Sequence, residues 1–305
     1  MVAFVVVASK SRRYNECPCV PEGFGSAYAT PQTSALSRRR GDRMRRDDHY
    51  PFYFGRNTGV YTAAHVEKIR KARIGIAGLG GSGGYSLLFL VHMGFEHFKV
   101  ADLDRYEEHN KNRQVGAFAS NIGRPKTQSL VELAKGLNPY AEIEVYEAGI
   151  TRENARSFAE DTDFLIETMD FNVPGAKFAL HDAAAAAGVH ISTSPSPAFG
   201  APVYNFGPKT PTFGQVFGLD PVDTFKDPRQ AKRFIERLVL PNLLDYPPED
   251  KERILSHYYR AAMGETHITT NIMGVSTSAQ LLCMAALETT LYGEPRIQMP
   301  KILVL

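Results

Sequence analysis

The residues of this sequence whose types and spacing can do chemistry start at Gly78, Gly80 and Gly83. They meet the pattern G-x-G-x-x-G within the run Gly78-Leu79-Gly80-Gly81-Ser82-Gly83-Gly84. The chemistry is nucleotide binding. Gly78 permits a tight turn that a Cβ would block, Gly80 lets phosphate oxygens approach the backbone, and Gly83 lets a helix pack close to a strand. A helix beginning here offers unpaired N–H groups and partial positive charge to an anion. Asp102 follows about twenty residues later, where a carboxylate can accept hydrogen bonds from ribose hydroxyls.

Such residues need a strand ending at the glycines, a helix starting there and a second strand ending at the acid. The sequence supplies all three. Residues 74–77 are apolar and strand-like, residues 85–93 are helix-like, and residues 98–101 form a second strand-like run closed by Asp102. The competing reading, a glycine-rich turn with no ligand, would use the same three elements.

Composition narrows the class. A chain of 305 residues can bury a large core, and 43% hydrophobic with 22% charged residues is ordinary for a globular protein. A net charge of +2 gives no case for nucleic acid or an acidic surface as partner. Three cysteines, Cys17, Cys19 and Cys283, are too few for a disulfide scaffold and fit a reducing, cytoplasmic compartment. No apolar run approaches the length that spans a bilayer, so no membrane partner is expected. The opening apolar stretch has its lysine and arginines behind it, the wrong order for a secretory signal.

Residues 1–48 are rich in Ser, Pro, Gly and Arg without sustained periodicity, and are expected to form a disordered or loosely held basic extension. Met44 stands as an alternative start. A nucleic-acid-binding arm is the functional alternative for this segment. Cys17-Pro18-Cys19 has no second cysteine pair to complete a zinc site. Residues 49–305 are expected to form one domain. Thr62 is placed to cap a helix running to about Lys71. Beyond Asp102, helical spacing over 126–137, alternation over 142–146, a short helix over 153–160, an apolar strand over 163–168, an Ala-rich helix over 173–188 and a strand over 189–193 follow in turn. This alternation predicts an α/β fold, a doubly wound and mostly parallel Rossmann-like sheet. Residues 194–219 suggest an antiparallel extension or irregular crossover. A helical insertion is expected over 223–263, one long helix over 272–292 and a terminal strand over 302–305.

Taken in order, the motifs are the glycine run, Asp102-Leu103-Asp104, Asn110-Lys111-Asn112-Arg113-Gln114, Gly123-Arg124-Pro125-Lys126, Leu137-Asn138-Pro139 and Met169-Asp170. This ordered set resembles the ubiquitin-activating-enzyme superfamily, in its bacterial ThiF, MoeB and HesA adenylyltransferase branch. The likeness runs from about residue 56 to residue 203, and residues 272–292 resemble the family's late helix. The resemblance implies an ATP- and Mg²⁺-dependent enzyme that activates a carboxylate of a small protein, a peptide or a small molecule as an acyl-adenylate. It implies that Gly78, Gly80, Gly81 and Gly83 line the nucleotide and that Asp102 binds ribose. Asn110, Arg113 and Gln114 match a motif whose arginine contacts the phosphates. Lys126 matches a phosphate-contacting lysine, and Asp170 matches the acid that holds Mg²⁺. Arg56 matches an N-terminal arginine that reaches into the partner subunit's site, which implies a homodimer. These residue types suit the reaction, since two anions must be brought together under fixed positive charge. Ordinary surface charges would account for Arg113 and Lys126 otherwise, and a turn-capping role for Asp170.

The sequence departs from the family at its cysteines. Many relatives carry four zinc-binding cysteines, so no structural zinc is expected here. Relatives that form a thioester use a cysteine in the crossover loop, but residues 194–219 contain none, and Cys283 lies in an apolar helix. The expected reaction therefore ends at the acyl-adenylate or passes it straight to a nucleophile other than an enzyme cysteine. His109, His181 and His190 lack metal-like spacing and read as structural. Cysteine-free relatives include peptide-maturation enzymes and the tRNA threonylcarbamoyladenosine dehydratase, the one reading with a nucleic-acid partner. Two readings of other classes stay open: an NAD-dependent oxidoreductase, and a non-catalytic nucleotide-binding subunit.

Overall fold

The computed structural model describes residues 50, 53–57, 59–171, 173–219, 228–299 and 301–304. The expected basic extension, with Cys17 and Cys19, lies outside the described residues, as do residues 223–227 of the expected insertion.

Helix α1 (Ala63–Lys71) begins where the Thr62 side chain accepts a hydrogen bond from His65 N. Strand β1 (Arg73–Ala77), helix α2 (Gly81–Met93) and strand β2 (His97–Ala101) then form the nucleotide-type unit. Gly94 ends α2 in the left-handed conformation, φ 100°, which a residue without Cβ adopts at no steric cost. Helix α3 (Lys126–Leu137), β3 (Glu142–Tyr146), α4 (Ala155–Ala159), β4 (Phe164–Glu167), α5 (Pro174–Ala187) and β5 (His190–Thr193) continue the alternation.

The sheet has seven strands in the order β3-β2-β1-β4-β5-β6-β7, where β6 is Pro202–Phe206 and β7 is Leu303–Val304. The first five are parallel, β6 runs antiparallel to β5, and the terminal strand β7 joins the sheet beside β6. After β1 the chain goes to β2 on one side and later to β4 on the other. The crevice between the carboxyl ends of β1 and β4 is therefore the topological switch point, where open α/β sheets bind ligands.

Helices cover both faces, as the apolar parallel strands require. One face carries α1, α2, α3 and the long helix α9 (Ile272–Tyr292), packed on Ile74, Ile76, Phe98, Val100 and Phe164. The other carries α4, α5, α6 (Phe213–Phe217), α7 (Pro228–Val239) and α8 (Pro248–Ala262), around Leu165, Tyr204, Phe206 and Phe217. Helix α9 has no polar face because it is buried between α2 and the sheet; Val275, Ala279, Leu282 and Ala286 are inaccessible or nearly so. The crossover after β5 holds one antiparallel strand and the short helix α6, which the sequence reading does not separate. Its signal is Thr212 with Gln215, a reciprocal capping box at the helix start.

Gly83 sets how closely α2 approaches β1. A Cβ there would lie 1.9 Å from Gly78 O and 2.6 Å from Thr168 Oγ1. Gly136, on the exposed side of α3, would meet nothing within 4 Å. Gly83→Ala should therefore destabilise the fold by about 3 kcal/mol, whereas Gly136→Ala should raise stability by up to about 1 kcal/mol. Thermal melts of the two variants, moving in opposite directions, check this.

Candidate nucleotide and phosphate site

The glycine turn follows β1 directly. Gly78 has φ 91°, and a Cβ on it would sit 2.8 Å from the Thr168 carbonyl. Gly78 N donates to Ala101 O at 2.8 Å, and Thr168 N donates to Ala77 O at 2.8 Å. Thr168 Oγ1 adds a hydrogen bond to Gly78 O at 2.8 Å. The turn is thus pinned between the ends of β2 and β4. Gly80 differs from its neighbours. A Cβ on it would approach only Gln114 Nε2, at 3.7 Å, so open space lies over its backbone. Gly80 caps α2 with no side-chain acceptor, leaving the first-turn N–H groups available to an anion. Gly81 also lets α9 pack close, since a Cβ there would lie 2.9 Å from Val275 of α9.

Asp102 ties the second strand to this turn. Its Oδ2 accepts from Leu79 N at 2.6 Å and its Oδ1 from Asp104 N at 2.8 Å. Burial raises the Asp102 pKa, against the pull of Lys126 and the two backbone N–H groups. Each carboxylate oxygen can accept a further bond, so tethering leaves room for a ribose hydroxyl. Lys126 opens α3 with its side chain buried, and its Nζ donates to Asp104 Oδ2 at 2.9 Å. Two N–H donors remain on that ammonium.

The Asn110–Gln114 segment packs against the start of α2. Asn110 is buried; its Oδ1 accepts from Glu107 N at 3.0 Å, closing a turn, and its carbonyl accepts from Gln114 N at 2.9 Å. Asn110 therefore shapes the loop. Gln114 is buried with its Oε1 lacking a hydrogen-bond partner among the described residues. A buried acceptor without a donor is costly, and a ligand hydroxyl or amine beside Gly80 would satisfy it. Arg113 donates to His109 O at 3.0 Å and to Asn112 Oδ1 at 2.8 Å, with no carboxylate within ion-pair distance among the described residues. Burial lowers its pKa, while Asp170 and Tyr258 act in the opposite direction. The guanidinium stays charged, since an arginine in a protein keeps its proton.

Asp170 is exposed just past β4, electrostatically coupled to Arg113. Among the described residues no three His, Cys, Asp or Glu side chains gather as a metal cage. The residues fit Mg²⁺ in one way: one carboxylate, Asp170, completed by phosphates and water, the coordination Mg²⁺ favours. Arg56 is not brought to this group. It is exposed in a short turn whose next residue, Asn57, donates to Met93 O at 3.3 Å. That is the far end of α2, about 20 Å from the glycine turn at 1.5 Å per residue.

Several residues of the site were missed by sequence reasoning. Tyr258 of α8 is buried, donates to Thr269 O and lies in the field of Arg113; nothing in its sequence neighbourhood signals this. Asn112 Nδ2 donates to Thr270 O at 3.1 Å, which joins the loop to the segment before α9. Behind Asp170, Glu167 and Lys177 are buried and paired, Lys177 Nζ to Glu167 Oε1 at 2.6 Å. Burial would raise the Glu167 pKa, but Lys177 and His181 bring it down to about 2. An acid closing an apolar strand and a lysine ten residues on in an Ala-rich helix were the available signals. Cys283 is buried, and burial pushes its thiol up to about 12, as an inert core cysteine requires.

The model of the ThiF family matches residues 54–295. The chain belongs to the ThiF family. Among curated relatives of this ThiF-family chain, the tRNA threonylcarbamoyladenosine dehydratase of Haemophilus influenzae is 30% identical over 128 residues, 42% of this chain and 49% of the relative. The sulfur carrier protein adenylyltransferase of Thermus thermophilus is 30% identical over 147 residues, 48% of this chain and 51% of the relative. The chain thus spans about half the length of these two relatives. The crystal structure of E. coli tRNA N6-threonylcarbamoyladenosine dehydratase in complex with ATP superposes with a TM-score of 0.57 at 18% identity, covering 81% of this chain and 96% of that one. That likeness bears out the α/β, mostly parallel Rossmann-like fold.

The buried Glu167 gives a pH dependence with a definite sign. A carboxyl held below its ordinary value of 4.5 contributes stability that is full above that value and lost as pH falls toward about 2. Between those limits the wild type should lose more stability than the doubly neutral variant Glu167→Gln/Lys177→Met. Denaturant midpoints across that range check this, and coincident curves would exclude a contribution from the pair.

Proposed function

We propose that this chain is an ATP- and Mg²⁺-dependent adenylyltransferase that activates a carboxylate as its acyl-adenylate. The observation that carries the reading is Arg113, a half-buried guanidinium that bonds only neutral acceptors among the described residues and feels Asp170 electrostatically without an ion pair to it. A partly desolvated cation with no carboxylate in contact is better satisfied opposite a phosphate. ThiF-family membership and the ATP-bound dehydratase of the same fold support the same nucleotide.

The roles follow from position. Gly80 and the α2 N-terminus receive phosphate oxygens, Asp102 takes ribose, and Gln114 offers its acceptor over Gly80. Gly78 and Gly83 set the turn, and Gly81 sets the packing of α9. Asn110 holds the loop that presents Arg113. An acceptor carboxylate oxygen attacks the α-phosphorus, a new P–O bond forms, and the bond to the bridging oxygen of pyrophosphate breaks. Arg113 and Lys126 hold positive charge against the crowded anions throughout. Mg²⁺, held by Asp170 and the phosphates, would neutralise the departing pyrophosphate. Cys283 is sealed in the core, so the adenylate goes to a nucleophile other than that thiol. The acceptor is a small protein, a peptide or a small molecule. A dehydratase-like reaction on tRNA is the second reading, favoured by the likeness to the Haemophilus enzyme. The position of Arg56 at the far end of α2 supports a homodimer in which each Arg56 serves the other subunit's site.

Exchange of labelled pyrophosphate into ATP, screened over carboxylate acceptors and threonylcarbamoyl-tRNA, tests the reading. Arg113→Ala should lower exchange by about 10²-fold or more, as loss of a donor to developing charge does elsewhere; a wild-type rate would remove Arg113 from phosphate binding. Arg56→Ala and Arg113→Ala, each inactive alone, should regain activity when mixed, since one site in the mixed dimer keeps both arginines. No recovery on mixing, with dimers formed, would contradict the partner-subunit role.

A further inference from the structure

Glu167, Lys177 and His181 form a buried charged group that the proposed chemistry does not use. Glu167 is inaccessible, and the Lys177 and His181 side chains are 6% and 4% exposed. Burying an ion pair gains little stability over an apolar pair of similar shape, so the packing of α5 on the sheet does not need it. Its contacts converge on one residue's backbone. Glu167 Oε1 accepts from Met169 N at 2.8 Å, and Lys177 Nζ donates to Met169 O at 2.7 Å while holding the same carboxylate at 2.6 Å. The N–H and C=O of Met169 are thus both captured by side chains. On the other side, Thr168 is bound to Ala77 and Gly78. His181 Nε2 stands 3.8 Å from Glu167 Oε2, beyond hydrogen-bond range, with its ring against Phe206 and Phe213. It walls the pair off from water.

The residue after this clamped backbone is Asp170. It is exposed, and its own carbonyl accepts from Val173 N at 3.3 Å. The clamped Met169 backbone sets where Asp170 begins. We propose that Glu167 and Lys177 are positioning residues that hold the Met169 backbone so that Asp170 faces Arg113 and the nucleotide phosphates as a Mg²⁺ ligand. The inference rests on the nucleotide reading above and extends it one layer into the fold. Lys177 lies in the first turn of α5, so one helix both covers the sheet and fixes the metal-facing turn.

The test is ATP binding by calorimetry, in chelator and in saturating Mg²⁺, on wild type, Asp170→Ala and Glu167→Gln/Lys177→Met. The double variant is used because Lys177→Met alone would leave a buried carboxylate unpaired and unfold the chain. The glutamine side chain in the double variant keeps an acceptor for Met169 N, and removing both charges together avoids that penalty. The expected result is that Mg²⁺ tightens ATP binding to the wild type, and that this gain falls by about tenfold or more in both variants, the usual cost of losing an outer-shell partner of a metal ligand. ATP affinity in chelator should stay near that of the wild type in the double variant. A general loosening of the fold would weaken binding in chelator too, and that outcome overturns the positioning role. A wild-type response to Mg²⁺ in the double variant, with the response lost in Asp170→Ala, overturns the clamp alone. Wild-type coupling in Asp170→Ala, or no ATP binding by the wild type, overturns the nucleotide reading and this inference with it.

Discussion

The structure depends on the contact between the first turn of α2 and the end of β1. Gly83 lies so close to Gly78 O that no side-chain atom fits between them. The approach aims the helix N-terminus at the switch point of the sheet. It also leaves Thr168 room to bond Ala77 O and Gly78 O, and so brings the end of β4 to the turn. From that single approach the rest follows. Asp102 reaches Leu79 N, the Arg113 carbonyl rests against Gly81, and Asp170 emerges within the electrostatic reach of Arg113. A longer helix–strand distance would separate the uncapped helix end from the carboxylate that faces it.

Charge is distributed unevenly around this turn. Most basic side chains near it are neutralised by the chain itself: Lys111 by Glu108, Arg124 by Glu132, Lys177 by Glu167. Lys126 is half committed, to Asp104. Arg113 has only neutral acceptors among the described residues. Together with the open backbone at Gly80 and the unpartnered acceptor of Gln114, the pattern fits an anion with hydroxyl or amine groups attached, which describes a nucleotide. A dehydrogenase site built on the same turn has no need of a guanidinium without an ion-pair partner in the loop against that turn.

The parallel core was legible because its signals are local and periodic. The strand over 142–146 and the helix over 272–292 have in the fold the bounds their sequence pattern predicts, and Thr62, Gly94 and Gly188 start or stop helices by simple capping and backbone rules. The placement of the glycines and Asp102 was legible for the same reason, as they sit at fixed places on one strand–helix–strand unit. Contacts between distant segments were not legible. Tyr258 reaches Arg113 from a helix far along the chain, Asn112 bonds Thr270, and Val275 dictates Gly81. The Glu167–Lys177 pair was hidden because each charge sits in a run that otherwise reads as core. Gly81 carries a packing constraint from α9 that the motif alone does not show.

The most direct measurement is the thermal midpoint of the full chain with ATP and Mg²⁺, with ATP and chelator, and with NAD. A ligand at about a hundred times its dissociation constant adds roughly 2.7 kcal/mol, which moves the midpoint of a chain this size by about 4 °C. That shift is expected with ATP and Mg²⁺, and none with NAD. A shift with NAD and none with ATP would contradict that expectation, and would turn Arg113 and Lys126 into surface charges beside a dinucleotide fold.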